Sequence, residues 1–502
     1  MKGRWFAALL ALVAPAAITA QAPVAAPATE PTPDWRALAQ QDVRAAYDIF
    51  AENHPGMHDP TNRAFPAQLA RARDKALAAA ARAAGRRGYV EALGAFSAEL
   101  SDGHALVYAT TPAGASPGEN RWPGFVAGWR GDRMVVHHAG PGSPAPTGSQ
   151  IVSCDGRPIT QVVRSRLTSV GFRAGEAGHW WARAPQALTS AEELGPPPRG
   201  CRFRHPNGVT KSATLNWVRA PENLSDLLRQ ASDGDRNPIG LSEPRPGIFL
   251  VSMPTFSPDA AGVTAYRALF DAVGARRAEL LRARAVVLDL RHNNGGSSSW
   301  SRQLAEALWG KEPVTHAMGQ FFRNVEIWWR TSEGNISHMA KMAEQARANG
   351  NAQAAAYSTA QGEAMRAARG QGEPLWAQQR ASERQVPQGS VPPSDFTAPV
   401  YVITPGRCAS ACLDAVDTFT RFGNVRLIGA PTSADSTYME VRSQPLPSGR
   451  GVIVIPTKVW LGRPRAGGEI YKPHIVMDAL DWSTASFLDR IERDLTSAQR
   501  KP

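Results

Sequence analysis

The chain has 502 residues, 43% of them apolar and 20% charged, with a net charge of +12. That length and composition exclude a collagen-like, disordered or minimal disulfide-stapled chain and lead us to expect about two to four globular domains. The positive charge comes almost wholly from arginines scattered among alanines, such as Arg71, Arg73, Arg82, Arg86 and Arg87. This reads as a solvated, arginine-biased surface rather than a nucleic-acid footprint, so no nucleic-acid partner is expected.

Residues 1–22 have the parts of a secretory signal peptide: Lys2 and Arg4, the apolar stretch Trp5–Val13, and the small-x-small site Ala20-Gln21-Ala22. The apolar stretch is too short to cross a bilayer, and no later segment is long and apolar enough. The mature chain is therefore expected to be secreted or periplasmic, with no stable membrane span after signal cleavage. No cysteine stands at the cleavage site, which argues against a lipoprotein. Residues 23–33, rich in Ala and Pro, read as a flexible linker.

Export permits disulfides. The four cysteines, Cys154, Cys201, Cys408 and Cys412, allow three pairings. Cys154–Cys201 would tie two strands of one small domain, and Cys408–Cys412 would bracket Ser410. These are the disulfide candidates. Neither a metal nor a cofactor is expected, because no Cys-x-x-Cys or histidine cluster accompanies them.

Three regions follow the linker. Residues 34–110 carry apolar residues at helical period, with alanine-rich helices over Pro66–Ala84 and Tyr89–Leu100, and read as an N-terminal helical domain. It ends at Leu100-Ser101-Asp102-Gly103-His104, before the strand-like Ala105–Tyr108. Residues 120–218 alternate short strands with turns, with Asp155-Gly156 and Asn207-Gly208 as hairpin signals. Within them, the run from Val135 through Gly142-Ser143-Pro144-Ala145 to Gln150–Ile159 resembles a PDZ domain. Such a domain adds a peptide strand to a sheet edge. Gly148-Ser149 stands where that family has a Gly-Asp pair. Residues 222–490 change to an α/β pattern, with strands at Ile248–Met253, Ala285–Leu290 and Val400–Thr404. Residues 336–383, polar and alanine-rich, read as a helical insertion in it.

The stretch Arg407-Cys408-Ala409-Ser410-Ala411-Cys412-Leu413-Asp414 stands out. It follows the apolar run Val400–Thr404 and the turn Pro405-Gly406, and precedes Leu413, Val416 and Phe419 at helical spacing. A serine on a strand-to-helix bend sits where free backbone N–H groups face a developing negative charge.

Together with Val287–Gly296 (Val-Leu-Asp-Leu-Arg-His-Asn-Asn-Gly-Gly) and Leu427–Thr432, this stretch resembles peptidase family S41. That family contains the C-terminal processing proteases and the tricorn-core-like proteases. The resemblance implies a multidomain α/β chain with an N-terminal helical domain, a PDZ-like β domain and a crotonase-like α/β spiral core. One branch of the family uses a Ser–Lys dyad, but the position of that lysine falls on Asp435 and its neighbours here, and Lys458 lies much farther on. The other branch uses serine, histidine and glutamate. Asp102-Gly103-His104 matches its histidine segment, and Gly468–His474 loosely resembles its glutamate segment. The resemblance thus implies Ser410, His104 and Glu469 as catalytic residues.

The chemistry assigns each a role. A serine hydroxyl needs an adjacent base, which neutral His104 would supply before returning the proton to the leaving amine. Glu469 would orient the imidazole. The oxyanion donors would be Ala411 N–H and that of Gly295 or Gly296, where no side chain blocks the approach. The implied activity is that of an exported serine endopeptidase cleaving peptides or unfolded proteins through an acyl-enzyme. Each residue also has a structural reading: Ser410 as a helix cap, His104 as a loop histidine, Glu469 as a surface carboxylate. The alternative function is a catalytically degenerate S41-like protein that binds peptides or apolar ligands, because Leu413 and the two cysteines depart from the usual serine elbow. His292 and the pair His137-His138 match no motif position.

Overall fold

A computed structural model describes residues 33–110, 120–383 and 385–499. The signal peptide 1–22 lies outside these residues, as does the linker 23–33 up to its last position. The described part is mixed α/β, with a helical N-terminus and several sheets.

Three helices come first, Trp35–Asn53, Phe65–Ala80 and Arg86–Leu100. On the first, Ala39, Val43, Ala46 and Phe50 are fully buried, the three-to-four residue spacing of one helix face. This face packs with Leu69, Leu93 and Phe96 against Ile453, Ile455 and Val459 of the strand Gly451–Leu461. The helical N-terminus is thus built onto a sheet strand contributed from more than 350 positions further along the chain. Buried Asp42 joins the two parts, accepting from the Tyr89 hydroxyl (2.6 Å) and the Ser448 N–H (3.0 Å).

His54, fully buried at the end of this layer, stacks on Phe65 (centroids 4.1 Å apart), and its Nδ1 accepts from the Gly56 N–H at 2.9 Å. Burial lowers its pKa from 6.5 to about 3. A base with a depressed folded pKa binds its proton on unfolding. Its stabilisation is complete above pH 6.5 and is lost as the pH falls toward 3, by about 1.4 kcal/mol per pH unit. Burial also lowers His179 to about 3 and His137 to about 4, adding to the slope. Urea midpoints are expected to fall between pH 6.5 and pH 4.5. His54→Asn, which keeps an acceptor for the Gly56 N–H, is expected to make the fall shallower; an unchanged slope assigns the acid sensitivity to other groups.

Residues 121–219 build an antiparallel sheet in the order Phe125–Arg130, Arg133–Ala139, Gln150–Cys154, Gly200–Arg204, Thr210–Thr214. The Asp155-Gly156 turn has both residues at positive φ, 49° and 75°, as a tight hairpin requires. Cys154 and Cys201 are directly paired in register and form the first disulfide.

The third sheet holds the site. Its order is Gly240–Arg245, Ile248–Ser252, Ala285–Asp289, Val400–Thr404, Val425–Gly429, Ile475–Val476, parallel except for the first pair. Its central strands are buried on both faces, which accounts for their unbroken apolar sequences. Val286, Leu288, Val400 and Val402 face one core, with the helices Ala260–Ala275, Ser299–Trp309 and Ala411–Phe419. Val287, Tyr401 and Ile403 face the other, with Trp482, Phe487 and Ile491.

The helical reading of residues 336–383 needs correction. Helices Glu333–Ala348 and Ala352–Gly370 form, but Leu375–Gln379 is a strand paired antiparallel with Glu326–Arg330. Trp329, Ile336, Met339 and Met365 give this excursion a small core of its own. Through Glu326–Arg330 it joins the sheet that also contains Gly451–Leu461 and Leu106–Ala109.

Candidate active site

The strand Val400–Thr404 ends at Pro405-Gly406, and the helix Ala411–Phe419 begins directly after Ser410. Ser410 has φ 56° and ψ −130°, a conformation that costs a non-glycine residue energy and persists only where its surroundings impose it. Three features impose it. Cys408 and Cys412, both fully buried, form a disulfide across the bend. The Ser410 N–H donates to both carboxylate oxygens of Asp435, at 2.9 and 3.0 Å. Gly295 lies against the other side, where a Cβ would stand 2.8 Å from the Ser410 Cβ and 2.9 Å from the Ala409 carbonyl oxygen.

Asp435 is itself held. Arg465 reaches Asp435 at 3.4 Å and Asp417 at 3.2 Å, and Asp417 also accepts from the Tyr471 hydroxyl. Asp414, bound to Arg463 and to the Ser298 hydroxyl (2.7 Å), completes the cluster. Burial pushes the Asp414 carboxyl above the usual carboxylate range, and Arg463 and Arg465 oppose that shift. Sequence reading missed these pairings, because each spans tens of positions or more and matches no short motif.

The amides at the bend are unequally committed. The Ser410 N–H is taken by Asp435, and the Gly295 N–H donates to Asn293 Oδ1 at 2.9 Å. The Ala411 and Gly296 amides have no backbone acceptor among the described residues. Gly296, at φ 132°, could not carry a side chain, since a Cβ would stand 2.2 Å from the Phe256 backbone. Ala411 and Gly296 thus carry the amides left without a backbone acceptor at the bend, and Gly295 is the residue whose bare backbone lets the bend approach.

His104 lies just before the strand Leu106–Ala109, and it lines the same cavity as Ser410, Ala411, Gly295 and Gly296, about 1050 Å³ in volume. Its N–H donates to Asp102 Oδ1 at 2.8 Å. Asp102 Oδ2 and His104 Nδ1 are both buried and without a hydrogen-bond partner. Burial raises the Asp102 carboxyl above its ordinary value, with neighbouring His104 acting in the opposite sense. No hydrogen bond joins His104 to Ser410 among the described residues, and Ser410 makes no side-chain cap to its own helix.

Glu469 is not brought to this cavity. Its carboxylate is exposed and accepts from the Ala466 N–H at 2.8 Å, closing a local turn, while the neighbouring Gly468 N–H donates to the Asp435 carbonyl. Lys458, set aside on spacing, does line the cavity. Its amino group is bound to Glu440 at 2.9 Å and lies over the Trp329 and Trp460 rings, so it already has partners. His292 contacts the Asp235 carbonyl, and His137 is half-buried; neither lines the cavity. Among the described residues, no group of three or more His, Cys, Asp or Glu side chains is arranged to hold a metal ion, and no helix is long and apolar enough to cross a membrane.

Residues 248–477 match the model of peptidase family S41. That span contains the parallel strands from Ile248–Ser252 to Ile475–Val476, Gly295, Gly296, Ser410 and Asp435; His104 lies before it. No curated protein matches the sequence. Among solved structures, the chain is similar in fold to mature CPAF, at 14% identity and TM-score 0.59, covering 93% of this chain and 99% of that one. A CPAF mutant matches at 13% identity and TM-score 0.61, covering 92% and 97%. Mature CPAF complexed with lactacystin matches at 14% and 0.59, covering 92% and 98%.

Proposed function

Since the chain carries a peptidase family S41 domain and is a serine-type peptidase, we propose that it is an exported endopeptidase that cleaves peptides or unfolded proteins through an acyl-enzyme on Ser410. The observation that carries this reading is the strained Ser410 held between Asp435 and Gly295, in one cavity with His104 and two uncommitted amides.

Ser410 Oγ attacks the scissile carbonyl while His104 takes its proton, then returns it to the leaving amine. The Ala411 and Gly296 amides receive the oxyanion; one such donor is worth about 2.7–4 kcal/mol in the transition state. Asp102 holds the His104 backbone and keeps a carboxylate oxygen available beside it. Glu469 takes the orienting role only if its loop gives up the turn with Ala466. Water then releases the acyl group by the same base.

Residues 34–110, 120–218 and 222–490 serve as the helical, PDZ-like and crotonase-like peptidase domains, the PDZ-like one presenting an extended peptide. The signal peptide directs the chain to an oxidising compartment, secreted or periplasmic, in keeping with two disulfides.

A fluorophosphonate probe tests the assignment. Labelling should map to Ser410 and disappear in Ser410→Ala and in His104→Ala. A folded protein that takes no label and leaves casein and peptides uncut is instead a binding protein on this scaffold. Lactacystin, bound in the CPAF complex, is a second probe to compete with the label.

A further inference from the structure

One part of the cavity wall has an imbalance of hydrogen bonding. Trp460 and Arg463 both line it. Trp460 Nε1, Arg463 Nε and Arg463 Nη1 are buried with no hydrogen-bond partner. The Arg463 side chain is only 2% exposed, and its guanidinium lies 5.6 Å from the centroid of the Trp460 ring. Its remaining nitrogen, Nη2, binds Asp414 and stands 3.6 Å from Asp417. The guanidinium is thus anchored through one nitrogen and unpaired at the other two.

All three unpaired atoms can only donate. Buried donors in native proteins nearly always have an acceptor, so this group is short of one. Water supplies acceptors one at a time. A carboxylate supplies two oxygens and a negative charge, enough to accept from an unpaired Arg463 nitrogen and from the Trp460 N–H. The field agrees in sign: six cationic side chains and four carboxylates line the cavity, and Asp414 and Asp417 are already satisfied on the far side of Arg463.

We propose that Trp460 and Arg463 form a subsite for a carboxylate on the substrate, an Asp or Glu side chain near the scissile bond or the chain's own C-terminal group. The inference rests on the peptidase reading of the same cavity. The three donors are shielded from solvent, so the ligand reaches them as the Trp460 indole turns; no hydrogen bond of its N–H restrains that turn.

The experiment compares fluorogenic peptides that differ only by Glu against Gln at each position around the cleaved bond, and by a free against an amidated C-terminus. The full mature chain should favour the acid at one position by about tenfold or more in kcat/KM, the size of a charge-assisted over a neutral hydrogen bond. A gain confined to the free C-terminus identifies the chain end as the ligand. Trp460→Phe keeps the ring and removes one donor. It should lower the acid-to-amide ratio severalfold, and Arg463→Lys should bring it near one. The ratio is unaffected by a general loss of fold or of nucleophile. Equal rates for acid and amide everywhere, or a ratio unmoved in both variants, overturns the subsite. If no peptide is cut, the catalytic reading has failed instead. The subsite is then read from binding to Ser410→Ala followed by calorimetry, where Glu peptides must bind more tightly than Gln peptides; equal affinity overturns it.

Discussion

Replacing Ser410 by alanine is expected to lower kcat by about 10⁶-fold, and His104→Ala by a similar factor, with little further loss in the double variant. The argument for non-additivity is mechanistic. A serine without its base, and a base without its serine, both leave only substrate binding and the oxyanion donors at work. The residual rate in every variant should therefore converge on one value. Neither change should unfold the protein: Ser410 makes no side-chain cap, and the His104 contact with Asp102 runs through its backbone. Thermal midpoints measured beside the rates separate loss of chemistry from loss of fold. A His104→Ala enzyme within tenfold of the parent removes histidine as the base. If Lys458→Met then carries the large loss, Lys458 is the base, acting as the neutral amine freed from Glu440, and the mechanism is a dyad.

The elbow was legible in sequence because every signal for it is local. An unbroken apolar strand, Pro405-Gly406, a serine between small residues and a helical pattern follow one another within twenty positions. The same holds for Gly295 and Gly296 after the strand Ala285–Asp289. The cysteine pairing was legible only as candidates among three possibilities, and the register of the strands decides it. The Asp155-Gly156 turn makes Cys154 the last residue of a strand, and Cys201 lies opposite it in register. The strand Leu375–Gln379 escaped notice because it is short and follows alanine-rich helices, and its partner Glu326–Arg330 gives no alternation. Glu469 shows a motif resemblance yielding to local chemistry: an amide three residues back satisfies its carboxylate at 2.8 Å. Asp435 shows the reverse. It occupies the stretch where a dyad enzyme would carry lysine. Only the fold reveals that its carboxylate receives the amide of Ser410.

That placement makes Asp435→Ala and Gly295→Ala the sharpest tests of how the elbow works. Asp435→Ala leaves the Ser410 N–H without its acceptor and removes one carboxylate from buried Arg465, whose side chain is 2% exposed. Removing one partner of such a pair costs about 3–5 kcal/mol. The φ of 56° at Ser410 then loses a restraint, so the hydroxyl is no longer held in attack geometry. A displacement of about 1 Å costs about 10²-fold in rate. Asp435→Asn keeps one oxygen for the amide and loses the charge facing Arg465. It should retain much more of kcat than alanine does while still lowering stability. Gly295→Ala attacks the bend from the opposite side, driving a methyl group to within 2.8 Å of the Ser410 Cβ at φ 116°. It should lower kcat by about 10²–10³-fold, the range for a lost oxyanion donor, because the bend and the Ala411 amide must move together. In all three variants the loss should fall on kcat with KM little changed, since the residues act on the nucleophile and not on the peptide-binding wall. A loss confined to KM, or an Asp435→Ala enzyme that is destabilised but turns over at the parental rate, would mean that the disulfide and the helix alone set the geometry of Ser410.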